Sequence, residues 1–429
     1  MSRAFIQKAA IYSYFATILL LPTQLGKHYW PNFTQVEGIR IDYLSPTLYL
    51  SDIFIIITFI LFLINISFST LKASLQLTFN KYLAIILILD IIAGIVFAIS
   101  PLEGLYVFVK VLELFIFALL TKYFLKNKWI RYKVFLFLSL GALFEGILAI
   151  SQFINQGSLG GVFYFFGERL INASTPGAAN ANINGQLILR PYGTFSHPNV
   201  LCGYLVIIAT LLLFANFKKL KVRNRLFLYL LYLFLSLAIL LSLGRAAIIV
   251  YAFVLLSKVI KLKRKRIAYF LILLSFILLI FIVAPILRYR FFDFALSDES
   301  VSQRLYFLNI SFQMIKSHLL FGVGLGNFLP SLPSFSNSLT YQLLQPVHNI
   351  FILLLCEIGL VGFFICLYFF YQTIRYLLRN KYKGLFSSTS LLMVFMVIIL
   401  LGSIDHYFLT LQQGQLLLAF VFGATFSRD

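Results

Sequence analysis

The stretch LFLYLLYLFLSLAILLSLGRAAIIVYAFVLLS, residues 226–257, decides the fold class of this protein. It contains one charged residue, Arg245, and is otherwise almost wholly apolar. A membrane-spanning helix needs about 20 mainly apolar residues, so this run is too long for a single crossing. Leu243-Gly244-Arg245 interrupts it, and we predict two spans, 226–243 and 246–260, joined by a tight turn.

The same apolar character extends over the whole chain of 429 residues. Hydrophobic residues make up 61%, charged residues only 11%, and the mean hydropathy is +0.94. A water-soluble fold would lack the polar surface to cover so much apolar surface, which excludes a soluble globular enzyme and a disordered protein. The apolar runs are continuous rather than alternating, which disfavours a β-barrel. We therefore predict an all-α polytopic membrane protein, with residues 1–429 as one integral membrane domain.

Apolar runs along the chain predict about twelve transmembrane helices. The first has no small-residue cleavage site after it, so we expect a retained anchor rather than a removed signal peptide. The predicted spans are about 9–25, 47–65, 82–98, 105–120, 134–152, 200–217, 226–243, 246–260, 267–287, 348–370, 385–402 and 410–425.

The net charge of +21 comes from 35 Lys and Arg against 14 Asp and Glu. In a soluble protein this excess would indicate nucleic acid, but in a membrane protein Lys and Arg collect on the cytoplasmic side. With both termini in the cytoplasm, 25 of the 35 fall on that side, together with a single acid, Asp429. We predict this topology in the cytoplasmic membrane, with anionic lipid heads as partners and no nucleic acid.

Ten basic residues and all five histidines break this charge rule, because they fall outside the cytoplasmic side or within spans. Two long outer loops, 153–199 and 288–347, carry most of them, and connections of this length are usually functional. Within the spans, we interpret Lys110 with Glu113 or Asp90 as an internal ion pair. The ten are Lys27, Arg40, Lys110, Arg169, Arg190, Arg245, Arg288, Arg290, Arg304 and Lys316.

No metal or cofactor site is predicted from the motifs. The three cysteines (Cys202, Cys356 and Cys366) fall inside predicted spans, too deep for a disulfide pair or a metal site. The chain has no C-x-x-C, no H-E-x-x-H and no glycine-rich phosphate loop.

The first outer loop ends in Arg190-Pro-Tyr-Gly-Thr-Phe-Ser-His-Pro-Asn199, directly before a span. Its prolines stiffen the chain and Gly193 allows a tight turn. For His197 the simpler interpretation is a loop that enters a helix, with Asn199 or Ser196 as the cap. Arg190 is less easily explained in this way, because it stands on the outer face against the charge rule.

Arg245 stands at the outer turn of the long apolar run, among small residues that allow close approach. It is either an arginine that snorkels to the interface or a half-buried guanidinium with an anionic partner, and the second interpretation is favoured.

The second outer loop carries Arg304, followed by apolar residues at 305, 308, 312 and 315. This spacing predicts an amphipathic helix on the membrane surface. Glycines at 322, 324 and 326 after His318 predict a compact, irregular turn. The loop ends at His348-Asn349, nine residues before Gly359-Leu-Val-Gly362, and a neutral imidazole there can take a proton from a hydroxyl.

Arginines and a histidine on one face, without a cluster of carboxylates, suggest a particular chemistry. Arginines bind diphosphate by bidentate hydrogen bonds and stabilise the charge that develops on a departing diphosphate. The prediction is metal-independent group transfer from a lipid diphosphate on the outer side of the membrane.

The motifs R-x-x-G-T-F-x-H-P-N, S-x-x-R-[GA]-A, a loop arginine, H-L-L-x-G-x-G-x-G-N-F and H-N-x9-G-x-x-G occur here in this order. The chain thus resembles the O-antigen ligase and O-antigen polymerase superfamily over residues 185–365. The resemblance implies a GT-C-like fold with short helices in the two outer loops. It also implies transfer of a glycan en bloc from an undecaprenyl-diphosphate donor to a glycan or glycolipid acceptor. Gly244 before Arg245 and Leu319 after His318 depart from the family pattern.

Residue roles follow from the same resemblance. It implies Arg245 and Arg304 as diphosphate binders and His348 as the base for the acceptor. It implies further substrate contacts by Arg190, His197, Asn199, His318 and Asn349.

Three functional classes remain open at this point. An O-antigen ligase-like enzyme is favoured, with a polysaccharide polymerase of the same superfamily as the alternative. A transporter or flippase of lipid-linked glycan would need its site near the midplane, whereas the distinctive basic residues lie at the outer surface. A non-catalytic scaffold predicts that each outer arginine is replaceable.

Overall fold

A computed structural model of the protein describes residues 2–66, 81–183, 185–215, 222–260, 274–281, 283–284, 299–336 and 344–427. This part of the chain is mostly α-helical, with three short two-stranded sheets. The helices are α1 (Arg3–Leu19), α2 (Leu50–Asn65), α3 (Lys81–Phe97), α4 (Pro101–Phe124), α5 (Lys128–Asn155), α6 (Pro198–Phe214), α7 (Val222–Leu241), α8 (Arg245–Ile260), α9 (Glu299–Ser317), α10 (Phe328–Ser331), α11 (Ile350–Arg379), α12 (Ser388–Gly402), α13 (Tyr407–Thr410) and α14 (Gln412–Thr425).

The predicted spans overlap these helices everywhere except at 267–287, most of which lies outside the described residues. The break in the long apolar run is confirmed, because α7 ends at Leu241 and α8 begins at Arg245. Among the described residues, α4, α5 and α11 are each long and apolar enough to cross a bilayer. The apolar helices α2, α6, α12 and the segment Leu230–Leu241 are shorter. The architecture is that of a helical membrane protein, and the count of twelve spans stays a prediction.

Several charged residues used for the predicted topology fall outside the part of the chain that the structure describes. Lys72, the runs 218–221 and 261–266, Arg288, Arg290, Arg428 and Asp429 lie outside the described residues.

Both predicted outer loops contain helices, a 3-10 helix in 153–199 and α9 and α10 in 288–347, but the loop after α1 and the segment 153–199 also contain short strands that the sequence did not predict. The loop after α1 holds β1 (Gly26–His28), which pairs with β4 (Thr47–Tyr49), and β2 (Gln35–Val36), which pairs with β3 (Ile39–Arg40). The segment 153–199 contains a 3-10 helix, Gly161–Phe166, and a hairpin of β5 (Asn180–Ile183) and β6 (Gln186–Leu189). Strands of two to four residues are too short to show the alternation of apolar and polar residues from which strands are predicted.

Helix α6 is the centre of the main hydrophobic core. Apart from Asn199, all of its residues are buried, and it contacts α5, α7, α8, α12 and α14. Because protein surrounds α6, the exposed apolar side chains belong to other helices, such as Ile56 on α2 and Leu89 on α3. This arrangement holds the first turn of α6, and the loop that enters it, in a rigid frame.

Helix α11 is broken at Gly359, whose φ of +58° and ψ of −168° are not helical. The break frees backbone groups on both sides, and the turn between α9 and α10 pairs with them. Val323 and Gly324 donate to the carbonyls of Cys356 and Glu357. Leu360 and Val361 donate to the carbonyls of Leu319 and Leu320. Backbone groups inside a membrane must be paired within the protein, and this exchange pairs them.

The glycine motifs on the two segments therefore form one structural unit. Gly322, Gly324 and Gly326 all have positive φ, which confirms the predicted compact turn. A Cβ on Gly322 would lie 2.5 Å from the backbone of Glu357, and one on Gly359 would lie 2.3 Å from the Leu320 oxygen. Only glycine allows the two backbones to approach this closely.

The charged residues within the predicted spans include a buried ion cluster. Lys110 on α4 pairs with Glu113 at 2.7 Å and with Asp52 on α2 at 2.9 Å. Gln412 of α14 also donates to Asp52. The predicted pairing of Lys110 with Glu113 is confirmed and the alternative with Asp90 is wrong, because Asp90 lies near Gly362 of α11 instead. The cluster joins α2, α4 and α14, which indicates a structural role.

We expect Gly359→Ala to lower the free energy of unfolding by about 3 kcal/mol or more, because a clash adds to left-handed strain. Gly161→Ala is the matched control: its φ is also +58°, but nothing lies within 4 Å of the added Cβ. The control should lose only about 1 kcal/mol, the cost of the backbone conformation. Thermal unfolding in detergent measures both, and equal melting temperatures would show that the close approach at Gly359 is unimportant.

Candidate functional site

The loop that enters α6 is held by two polar side chains of α5. Glu145 accepts hydrogen bonds from the Thr194 backbone N–H at 2.9 Å and from its hydroxyl at 2.6 Å. Gln152 accepts from the backbone N–H groups of Tyr192 and Gly193 at 2.9 and 2.8 Å. Gly193 has a φ of +58°, and a Cβ there would lie 2.3 Å from the Glu145 carboxylate. The proline- and glycine-containing motif is thus fastened directly to a helix.

Arg190 connects this loop to the turn before α8. The residue is buried, with 5% of its surface exposed. Its Nε donates to the carbonyl oxygen of Ser242 at 3.0 Å, and its Nη2 donates to the Asn199 side-chain oxygen at 2.7 Å. Leu243 in that turn has a φ of +53°, and Arg245 follows as the first residue of α8. Arg190 is therefore bonded to the same short turn that ends at Arg245.

Asn199 carries the connection onward to the segment between α12 and α13. Its Nδ2 donates to Asp405 Oδ2 at 2.9 Å, and the other carboxylate oxygen accepts from the His406 backbone N–H at 2.8 Å. The chain Arg190–Asn199–Asp405 thus joins parts of the sequence that are some 200 residues apart.

Two histidines lie beside this carboxylate. The rings of His348 and His406 meet edge to face with centroids 5.1 Å apart, and Tyr43 contacts the His406 ring at 5.5 Å. His406 Nδ1 is hydrogen-bonded to the Thr410 hydroxyl at 2.6 Å. His348 Nδ1 and Arg304 Nε are buried and have no hydrogen-bond partner within the described ranges of the chain. We call Arg190, Asn199, Arg304, His348, Asp405 and His406 the His348 cluster.

Burial sets the protonation states of the histidines in this cluster, which lie outside the helices. It lowers the pKa of His348 below its usual value; Asp405 opposes this change and Arg304 adds to it. Burial likewise lowers the pKa of His406 to about 4 and that of His197 to about 3. Burial opposes ionisation of Asp405, but the neighbouring imidazoles and the Asn199 amide hold its pKa below the usual range. Neutral imidazoles therefore surround a carboxylate at neutral pH.

His197 and Asn349 are placed at helix starts. His197 Nδ1 accepts from the Asn199 backbone N–H and caps α6, so a cap is confirmed but the predicted choice of Asn199 or Ser196 is wrong. The Asn349 oxygen caps α11 through the N–H groups of Phe351 and Ile352. Its Nδ2 donates to the Ser403 carbonyl at 3.0 Å, which ties α11 to the segment that carries Asp405.

His318 is not brought into the cluster by any of the described contacts. It is exposed, its ring lies near Phe335, and its Nδ1 is hydrogen-bonded to the Ser317 hydroxyl at 3.0 Å. Its predicted contact with substrate stays a prediction.

Sequence reasoning missed Asp405, His406 and Tyr43. From the sequence, His406 falls on the outer side with the other histidines, but the stretch Ser403–His406 is assigned no role in the site. A signal was available, because an Asp-His pair between two apolar runs is unusual on a face where few acids are expected. Tyr43 carried no such signal, since a tyrosine in a polar loop is ordinary.

His348, Asp405 and His406 could together hold a metal ion, because one ligand atom from each lies within 4.8 Å of the others. Two imidazoles and a carboxylate are a known zinc ligand set. The charge of Arg304, however, acts on both imidazoles, and a guanidinium beside the site would repel a divalent cation. We therefore keep the prediction that no metal is bound.

Residues 230–367, about a third of the chain, match the model of the O-antigen ligase family. The match supports membership of the chain in the O-antigen ligase and polymerase superfamily. Arg245, Arg304 and His348 lie within the matched region, whereas Arg190 and Asp405 lie outside it. No curated protein matches the chain significantly.

We expect the purified protein to contain no stoichiometric zinc, manganese or other divalent metal, measured by elemental analysis. Added zinc should shift the melting temperature of the wild type no more than that of the His406→Ala variant, which lacks one of the three ligands. A shift seen in the wild type alone would establish a metal site and would overturn the prediction.

Proposed function

We propose, with the O-antigen ligase family match as the premise, that this protein is a membrane glycosyltransferase. It moves a glycan en bloc from an undecaprenyl-diphosphate donor to the hydroxyl of an acceptor sugar on the outer side of the cytoplasmic membrane. The observation that carries this proposal is the His348 cluster, in which a half-buried histidine lies beside the Asp405 carboxylate and within the electrostatic influence of Arg304. An O-antigen ligase-like activity is favoured, and a polymerase of the same superfamily uses the same donor chemistry.

The diphosphate of the donor is bound by Arg304 and Arg245. Arg304 is half-buried, and its Nε lacks a hydrogen-bond partner among the residues that the structure describes. A guanidinium in this state is available for a bidentate bond to phosphate oxygens. Arg190 is buried and bonded to Ser242 and Asn199, which supports a positioning role more than direct contact with phosphate.

His348 acts as the base. The acceptor oxygen attacks the anomeric carbon of the donor sugar, the bond from that carbon to the diphosphate oxygen breaks, and the acceptor proton passes to the imidazole. Undecaprenyl diphosphate leaves with the bonding electrons, and the arginines stabilise its added charge. A pKa below the usual value keeps His348 unprotonated before the reaction.

Asp405 is a positioning residue in this scheme. Its charge favours the imidazolium that forms when His348 takes the proton. Asn199 and the His406 backbone fix the carboxylate by hydrogen bonds. This is the role that an acid plays behind a catalytic histidine in other group-transfer enzymes.

A transporter of lipid-linked glycan is the competing class. It needs charged groups available near the midplane. Lys110, in the middle of α4, is instead paired with Asp52 and Glu113. This supports an enzyme over a transporter.

We expect His348→Ala to reduce glycan transfer by about 100-fold or more, because general-base catalysis contributes that much. Arg304→Ala should lose a similar factor through weaker stabilisation of the leaving group. Arg40→Ala is the control, since that arginine is exposed and lies over the Trp30 ring. The measurement is glycan attachment in a deletion strain that expresses each variant at equal level.

Lipid-linked glycans that accumulate in the same deletion strain identify the reaction. Full-length lipid-linked polymer indicates a ligase, and single repeat units indicate a polymerase. Normal transfer by His348→Ala would overturn the base role. Lipid flipping by the purified protein in liposomes, without transfer, would support a transporter instead.

We expect the transfer rate to fall with decreasing pH only below about 6.5, because the pKa of His348 lies below its usual value. Asp405→Asn should reduce the maximal rate by about 100-fold. The same change should move the acid limb to lower pH, since the lost charge raised the pKa of His348. Asp42→Asn is the control, an acid in the loop after α1. A lower rate with an unmoved acid limb would indicate that Asp405 is only structural.

A further inference from the structure

Residues 159–170, here called the aromatic loop, present a set of apolar side chains that nothing in the described structure covers. Phe165 is 71% exposed and Leu170 is 67% exposed. Val162, Tyr164 and Phe166 are also at least half exposed. Five large apolar residues exposed within nine positions form a contiguous patch, and such patches mark interaction sites.

The exposure results from a rigid structure. Glu168 is 2% exposed, and its two oxygens accept from the backbone N–H groups of Leu159 and Gly160, both at 2.8 Å. Gln152 of α5 donates to the same carboxylate at 2.7 Å. The buried Glu168 carboxylate thus links the two ends of the loop to each other and to α5.

A second set of contacts fixes the far side of the loop to the segment after α1. The Thr23 hydroxyl donates to the Phe166 carbonyl at 2.6 Å, and the Gln24 side chain donates to the Gly167 carbonyl at 3.1 Å. Phe144 of α5 contacts the rings of Phe163 and Phe166. These ordered contacts behind the loop hold Tyr164, Phe165 and Leu170 outward.

The patch continues an apolar stripe on a membrane-length helix. Leu140, Ile147 and Ile154 of α5 are 40%, 51% and 76% exposed, and their spacing of seven residues puts them on one face. α5 is long and apolar enough to span a bilayer, so this face meets lipid. Phe144, which contacts the rings of Phe163 and Phe166, lies next to that face. The apolar stripe of α5 is therefore continuous with the apolar side chains of the loop.

The composition of the loop matches the boundary between lipid tails and headgroups. Aromatic residues collect there because their rings are apolar and partly polarisable, and a basic residue beside them meets phosphate. Tyr164 supplies a hydroxyl, and the exposed Arg169 stands between the buried Glu168 and Leu170. A soluble partner protein would leave the continuity with the lipid-facing stripe unexplained.

We propose that the aromatic loop inserts into the outer leaflet of the phospholipid bilayer, at the level where acyl chains meet headgroups. It anchors the segment 153–199, whose last residues enter α6 and carry Arg190 and Asn199, to the membrane surface. The partner is the bilayer lipid itself, and the proposal does not depend on the chemistry of the His348 cluster.

The test uses tryptophan fluorescence of the full-length protein in liposomes. The chain has two tryptophans, Trp30 and Trp129, and replacing both by Phe leaves a background in which Phe165→Trp is the only one. Ser174→Trp is the matched control, because Ser174 is exposed in a polar turn of the same segment and is bonded to Asn172. Lipids brominated near the headgroup end of the acyl chain quench from within the bilayer, and iodide quenches from water.

We expect the fluorescence of the tryptophan in Phe165→Trp to have its maximum at a shorter wavelength than that of the tryptophan in Ser174→Trp. It should be quenched several-fold more by brominated lipid and several-fold less by iodide. Tyr164→Trp is a second variant in the same loop and should behave like Phe165→Trp. If both loop variants are quenched by iodide as strongly as the control, the loop is in water and the proposal is wrong. Protection from both quenchers would indicate a protein cover and would equally overturn it.

Discussion

The side-chain amide of Asn199 is the interaction on which the site depends. It accepts from Arg190 and donates to Asp405, so it joins the loop before α6 to the segment after α12. Its position is fixed because α6 is buried on all sides and begins one residue earlier. Asp405 in turn lies against His348 and His406. A rigid central helix thereby sets the distance between a carboxylate and the histidine proposed as the base.

The second constraint is that backbone groups within a membrane need partners in the protein. The break of α11 at Gly359 would leave carbonyl and N–H groups unpaired, and the glycine-rich turn at 319–324 pairs with them. This exchange places α9, which carries Arg304, against α11, whose first turn follows His348. The glycines of the predicted compact turn are therefore structural, and they serve the site by bringing α9 and α11 together.

Burial disfavours charge in both polar regions, around Lys110 and around His348, but the outcome differs. Around Lys110, burial is offset by two carboxylates, and the result is a closed structural cluster. Around His348, burial lowers the pKa of the imidazoles, and Arg304 Nε has no hydrogen-bond partner in the described part of the chain. A polar group left without a partner is costly, so a fold keeps it only where something else, such as a ligand, supplies the partner. The difference lies in the cation: Lys110 Nζ has two carboxylate partners, whereas Arg304 Nε has none among the described residues.

The sequence by itself determined the helical membrane class, most helix positions, the break before Arg245 and the residue types proposed to bind diphosphate. These follow from local hydropathy and from charges that stand against the topology rule, and both are visible one segment at a time. Only the tertiary structure decided that His197 caps α6, that Lys110 pairs with Asp52, and that Asp405 and His406 lie beside His348. Such contacts join residues far apart in the chain, and no local pattern records which distant segment a buried helix will bring against another.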